Sequence, residues 1–213
     1  MASIAQEADF PATDARERAA DTVVSAAWGN AGPLALAAFA VTTFMLSMVN
    51  GNLVNGGVEP VVFGVALMFG GLTQLVAGTI EFRNGHTFAG VLFSTYGAFW
   101  MSLFAIAEYF LKGVPADQVG HALGLYLFAF GIFTFWMWAA SFRTNVVVVT
   151  ALFVLLLTFL ALGFGNYYAK TGLVHWGGYL GLITAALAAY LSCAEVCEAS
   201  YGRAVLPVWP LAK

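Results

Sequence analysis

Charged residues are confined to short patches of this chain, and between them lie six uncharged windows at 22–58, 60–80, 84–107, 118–142, 144–169 and 171–194. Each matches the roughly 20 residues that an α-helix needs to cross about 30 Å of hydrocarbon. The pattern predicts an all-α integral membrane bundle of six transmembrane helices near 33–52, 60–80, 87–110, 119–141, 146–168 and 174–197. The stretch from Phe69 to Trp100 departs from plain lipid-facing sequence. Two of the apolar segments meet there at the turn Glu81-Phe82-Arg83-Asn84-Gly85-His86, and both carry paired glycines, a glutamine or a Ser-Thr-Tyr-Gly run. Polar side chains within a membrane helix are costly unless they face protein or a watery path. Something polar is expected to bind or pass here.

Composition agrees. Of 213 residues 61% are hydrophobic and 9% charged, against roughly 25% charged in an average soluble domain. Nineteen phenylalanines and so few charges do not build a water-facing surface. With a cytoplasmic N-terminus, Arg16, Arg18, Arg83, Arg143, Arg203 and Lys213 fall inside and only Lys112 and Lys170 outside. The positive-inside rule therefore puts both termini in the cytoplasm of a multi-pass protein of the cell membrane. Residues 1–29 read as a polar cytoplasmic tail without the basic-then-apolar order of a signal peptide. Residues 30–200 are expected to form the six-helix transmembrane domain, and 201–213 a cytoplasmic tail whose Trp209 suits an interfacial anchor. A net charge of −3 without a basic run leaves no case for a nucleic-acid partner.

Counting depth from the helix starts places Phe39, Tyr96 and Leu155 at about 10–15 Å, all on odd-numbered helices. Depth alone fits ordinary packing or lipid contact as well as a closed ring. Asn50, Asn52 and Asn55 end the first helix and Asn166 the fifth, while Gln74 lies about two turns from the end of the second. Glu81 and Glu195 are expected near the inner surface, the latter paired with Arg83, Arg143 or Arg203. Gly71 with Gly78, and Gly177, Gly178 and Gly181, have the spacing of close helix packing. Catalytic and metal-binding patterns are poor. His86, His121 and His175 are dispersed, Cys193 and Cys197 share one helix face, and no phosphate loop occurs. Neither an enzyme, a metal nor a cofactor is expected.

The residues resemble the acetate uptake transporter family, also called succinate–acetate permeases. Its signature N-P-A-P-L-G-L is similar to Asn30-Ala31-Gly32-Pro33-Leu34-Ala35-Leu36. Closer matches are Phe69-Gly70-Gly71, Gln74, Ala77-Gly78, Glu81, Gly85, Thr87-Phe88, Tyr96-Gly97 and Phe99-Trp100. Gly165-Asn166, His175, Gly181-Leu182-Ile183, Tyr190-Leu191, Glu195-Val196 and Tyr201 through Pro207 extend the similarity across about residues 30–207. The resemblance implies a homohexamer with a separate solute path in each protomer and an apolar constriction at Phe39, Tyr96 and Leu155. It also implies a substrate-range position at Ala188 and a pore-facing Gln74. Ala31, Gly32, Ala35 and Ser47 depart from the family pattern and put substrate preference in doubt.

A carboxylic acid with a pKa of about 4–5 is mostly anionic at neutral pH. It passes an apolar ring either protonated or with hydroxyls and amides replacing its hydration. Tyr96, Ser94, Thr95, Gln74, Asn50 and Asn166 are the candidate donors. The expected function is transport of acetate, with succinate and other small carboxylates, linked to protons. A channel for urea, an amide or ammonia is the alternative, and a non-transporting sensor or scaffold the third reading.

Overall fold

A computed structural model describes residues 28–211. Six helices long and apolar enough to cross a membrane follow one another: α1 (Gly32–Asn50), α2 (Gly56–Arg83), α3 (Thr87–Gly113), α4 (Ala116–Arg143), α5 (Val146–Tyr167) and α6 (Thr171–Tyr201). All six expected spans are present, with ends that move by a few residues for local reasons. Asn55 caps α2 by accepting from Gly57 N–H at 2.8 Å, so that helix starts earlier than its apolar run. Pro115 and Val114 alone separate α3 from α4. With 31 residues, α6 is about 46 Å long and outruns the hydrocarbon core. It ends where Gly202 adopts the left-handed conformation at φ 66°.

Close helix approach occurs along three seams, α1 with α6, α2 with α3, and α4 with α5, and α5 also packs on α6. Small residues make the first two possible. A side chain at Gly178 would run into the backbone of Gly51, and one at Gly97 would come within 2.6 Å of Leu75 N. In lipid, where hydrophobic burial adds little between helices, such backbone contact is what holds a bundle together. The contact of α3 with α4 is different, being made by rings. Phe99 stacks on Tyr126 at 5.4 Å and meets Phe130 edge-on at 4.8 Å. Tyr96 meets Phe133 at 5.5 Å.

Within α2 the hydrogen bonding widens to the i→i+5 pattern over Ala66–Thr73, a form found mostly where function demands irregular backbone. It seats Gly70 against Thr42 of α1 and Gly71 against Met101 of α3. Gln74 follows directly. The chain end folds back over the face that holds the start of α1, hereafter the terminal face. Val146 N–H donates to Trp209 O at 3.0 Å and Leu211 N–H to Thr144 O at 2.9 Å. Tyr190 O–H donates to Pro207 O at 2.8 Å. The tail after α6 is therefore tied to the α4–α5 turn as well as carrying the exposed Trp209.

Candidate functional site: two cavities meeting at Phe39 and Leu155

One cavity, of about 470 Å³, reaches inward from the terminal face, and a second, of about 320 Å³, from the opposite face. Both are walled by Phe39 of α1 and Leu155 of α5, so those two side chains stand where the cavities meet. Tyr96 of α3 walls the first. Its ring centroid lies 5.4 Å from that of Phe39 and stacks at 6.5 Å on Phe159. All three residues are buried, Tyr96 to 2% exposure.

The Tyr96 hydroxyl has a fixed task. Thr134 donates its only hydroxyl proton to Phe130 O at 2.7 Å, so at the 2.9 Å contact between the two hydroxyls Tyr96 is the donor. The hydroxyl thus ties α3 to α4 and is not offered to a solute as a donor. At this level the walls supply rings and methyl groups.

On the terminal side the lining includes Gln74 and Glu81 of α2, Thr184, Ala188 and Glu195 of α6, His86 of the turn, and Val208 of the folded-back tail. Gln74 is 1% exposed, and its Oε1 has no partner among the described residues. An amide with both a donor and an acceptor to offer, aimed into a cavity, is costly to bury unless a ligand or water completes it. At the mouth, Glu81 Oε1 accepts from Ala31 N–H at 2.7 Å, and its Oε2 lies 2.6 Å from His86 Nδ1. Glu195 Oε2 accepts from Asn30 Nδ2 at 3.0 Å. The arginines expected beside Glu195 are not its partners among the described residues, because α6 turns this carboxylate inward onto the start of α1. Arg83 instead lies over the Trp28 ring at 5.0 Å. Two carboxylates thus face the positive end of the α1 dipole. Gly32, where the family signature has Ala, makes room for them: a Cβ there would sit 2.9 Å from Glu195 Oε2.

The opposite-face cavity holds Asn50, Asn166, Thr43, Ser47, Trp100 and Tyr126, with Glu59 as its acid. Thr43 Oγ1 and Trp100 Nε1 are buried and have no partner among the described residues. Asn166 Nδ2 is drawn partly to Leu162 O at 2.8 Å. Among the residues predicted to line a path, Gln74, Ala188, Asn50 and Asn166 line these cavities; Ser94 and Thr95 line neither. Ser94 packs instead against Gly78 at the α2–α3 crossing. Thr43 and Trp100 escaped notice in the sequence because a threonine or tryptophan in an apolar run gives no sign of whether its polar atom is satisfied. Of the histidines, His121 bonds Gln118 at 3.1 Å, away from both cavities. No His, Cys, Asp and Glu cluster suited to a metal ion occurs among the described residues.

A six-helix membrane bundle with cavities from both faces that meet at the apolar Phe39 and Leu155 has the architecture of a solute channel or transporter. The chain belongs to the GPR1/FUN34/yaaH family, whose model matches residues 15–213. It is 34% identical over 182 residues to the succinate-acetate/proton symporter SatP of Escherichia coli, which covers 84% of this chain and 94% of that one. It is 35% identical over 174 residues to ammonia transport outward protein 2 of Saccharomyces cerevisiae, covering 79% of this chain and 62% of the yeast protein. Among solved structures it resembles the bacterial acetate channel SatP, with a TM-score of 0.79, 32% identity, and coverage of 85% of this chain and 99% of that one. It is a multi-pass membrane protein of a family of transporters and channels.

Proposed function

We propose that this protein carries acetate, and with it other small carboxylates such as succinate, through a path within each protomer. The observation that carries the proposal is the pair of cavities meeting at Phe39 and Leu155, with Tyr96 beside them, which we assign as the constriction. Gln74, Ala188, Asn50 and Asn166 then line the path on either side. A bare carboxylate has no donor to replace its hydration at that ring, so the barrier favours the neutral acid. Gln74 fits the same form. A protonated carboxyl group offers an O–H to the amide oxygen and a carbonyl to the amide N–H, whereas an anion offers acceptors only. Movement as the acid is proton-linked transport without catalysis. Both termini lie in the cytoplasm by the distribution of basic residues, and six protomers assemble, each with its own path. The test is uptake of labelled acetate, urea and ammonia by liposomes holding only this protein, across a pH step. Acetate entry at rates well above empty liposomes is expected; urea or ammonia entry without acetate would overturn the assignment. The ammonia reading has its own support in the yeast relative's name, and the same assay decides it.

A further inference from the structure

We propose that Glu81 is the group that exchanges a proton with the solute in the terminal-face cavity, and that His86 connects it to water. This rests on the transport reading above. Glu81 is 2% exposed and lines the cavity, while His86, 2.6 Å away, is 59% exposed on its outer side. One buried carboxylate therefore touches both the solute path and a surface imidazole. An acidic pair near a helix start would suit a structural clamp equally well. Gln74 separates the two roles. Seven residues before Glu81 on the same helix, and so on the same face, it presents a buried amide oxygen without a partner among the described residues to this same cavity. A protonated acid arriving from the ring would be held there, two turns from Glu81.

For a solute entering from the terminal face, the imidazolium passes its Nδ1 proton to Glu81 Oε2. The N–H bond breaks, its electron pair stays on the ring, and an O–H bond forms. Glu81 gives that proton to the solute carboxylate, which leaves as neutral acid while Glu81 returns to its charged form. A ring flip then presents the bare nitrogen to water, where a proton from solution restores the imidazolium. For a solute arriving from the ring the steps reverse, and the nearby Glu195 repels the newly formed anion outward. Among the described residues, the remaining charged groups at this mouth are Glu195 and Glu198 of α6, with Arg83 turned onto Trp28. The other lining groups here are neutral: Asn30 before α1, Phe88 of α3, Thr144 and Asn145 of the α4–α5 turn, and Val208 of the tail.

Glu81→Gln tests the proposal because its amide oxygen still accepts from Ala31 N–H and its NH2 donates to neutral His86. In liposomes holding the full chain, acid-driven net uptake of labelled acetate should fall by about tenfold or more, the scale of a lost proton-transfer group. Exchange of labelled for unlabelled acetate at equal pH should fall with it, since each solute that enters takes its proton from Glu81 and each that leaves returns one, while thermal stability stays native because both hydrogen bonds of the side chain are kept. His86→Asn keeps a donor to Glu81 but carries no proton to it from water, and should lower acid-driven net uptake by about tenfold. Native net uptake in Glu81→Gln would overturn the proposal. So would a loss of flux accompanied by a loss of thermal stability, which would make Glu81 a structural clamp, or native net uptake in His86→Asn. Absence of acetate flux in the native protein would instead remove the transport reading on which this one stands.

Discussion

The two cavities are similar in origin and opposite in chemistry. The terminal-face cavity presents acceptors, the carboxylates of Glu81 and Glu195 and the free oxygen of Gln74. The opposite-face cavity adds donors, the Thr43 hydroxyl and the Trp100 indole N–H, to a lining that holds Asn50, Asn166 and one acid, Glu59. A carboxylate anion therefore finds partners on one side and repulsion on the other. The neutral acid is tolerated on both. Where the two meet, Phe39 and Leu155 with the neighbouring Tyr96 offer no donor, since the Tyr96 hydroxyl gives its proton to Thr134. Under the proposed transport reading, the difference teaches that a weak acid can cross without a cationic binding site, by an ordered change from donors to acceptors across an apolar step.

The largest effect should come from abolishing the division itself. Leu155→Trp puts a bulkier ring into a site that is already close-packed, and acetate flux in liposomes should fall at least about tenfold, into the background of empty vesicles. Unaltered flux would show that the path does not pass Leu155. Next is Gln74→Leu, which turns the terminal-face cavity apolar near the ring. Losing one neutral hydrogen-bonding group of about 1 to 1.5 kcal/mol corresponds to a five- to tenfold rise in half-saturating acetate. Folded yield should hold or improve, because a buried amide without a protein partner is removed.

Thr43→Val sharpens the comparison from the other side. Half-saturating acetate should rise by about threefold for acetate added at the opposite face, where a donor of under 1 kcal/mol is lost, and stay unchanged for acetate added at the terminal face. Equal effects on both sides would dissolve the proposed asymmetry. Tyr96→Phe is the smallest in transport. It should leave acetate flux within about twofold and lower the resistance to thermal unfolding by the roughly 1 kcal/mol of one buried hydrogen bond. A large loss of flux with unchanged stability would mean that the hydroxyl meets the solute after all.

Most of the architecture was legible before any coordinates. Membrane spans are governed by a one-dimensional quantity, the length of chain between charges, so six helices could be counted directly. Ends were less legible, because Asn55 and Gly202 set them through local caps that hydropathy does not register. Of the candidate lining residues, Gln74 and Ala188 share a cavity with Phe39, Tyr96 and Leu155. Ser94 and Thr95 are candidates as hydroxyl donors close to Tyr96 in sequence, and line neither cavity. One helical step is about 100°, however, so neighbours of a cavity-facing residue face elsewhere. Thr43 carried no sequence signal, and Trp100 entered only as a family match, with no sign of its unpartnered N–H.

Charge spacing, apolar length and glycine pattern alone determined that this chain is a six-span membrane bundle of closely packed helices. Those properties are local, or repeat along one helix, and the backbone's need for internal hydrogen bonds in lipid leaves few other solutions. Only the tertiary structure decided that Phe39 and Leu155 stand where two cavities meet. It alone aimed Glu195 at the start of α1 and joined Glu81 to His86. Each of these depends on rotation and crossing of helices far apart in sequence, which side-chain packing sets and residue order does not spell out.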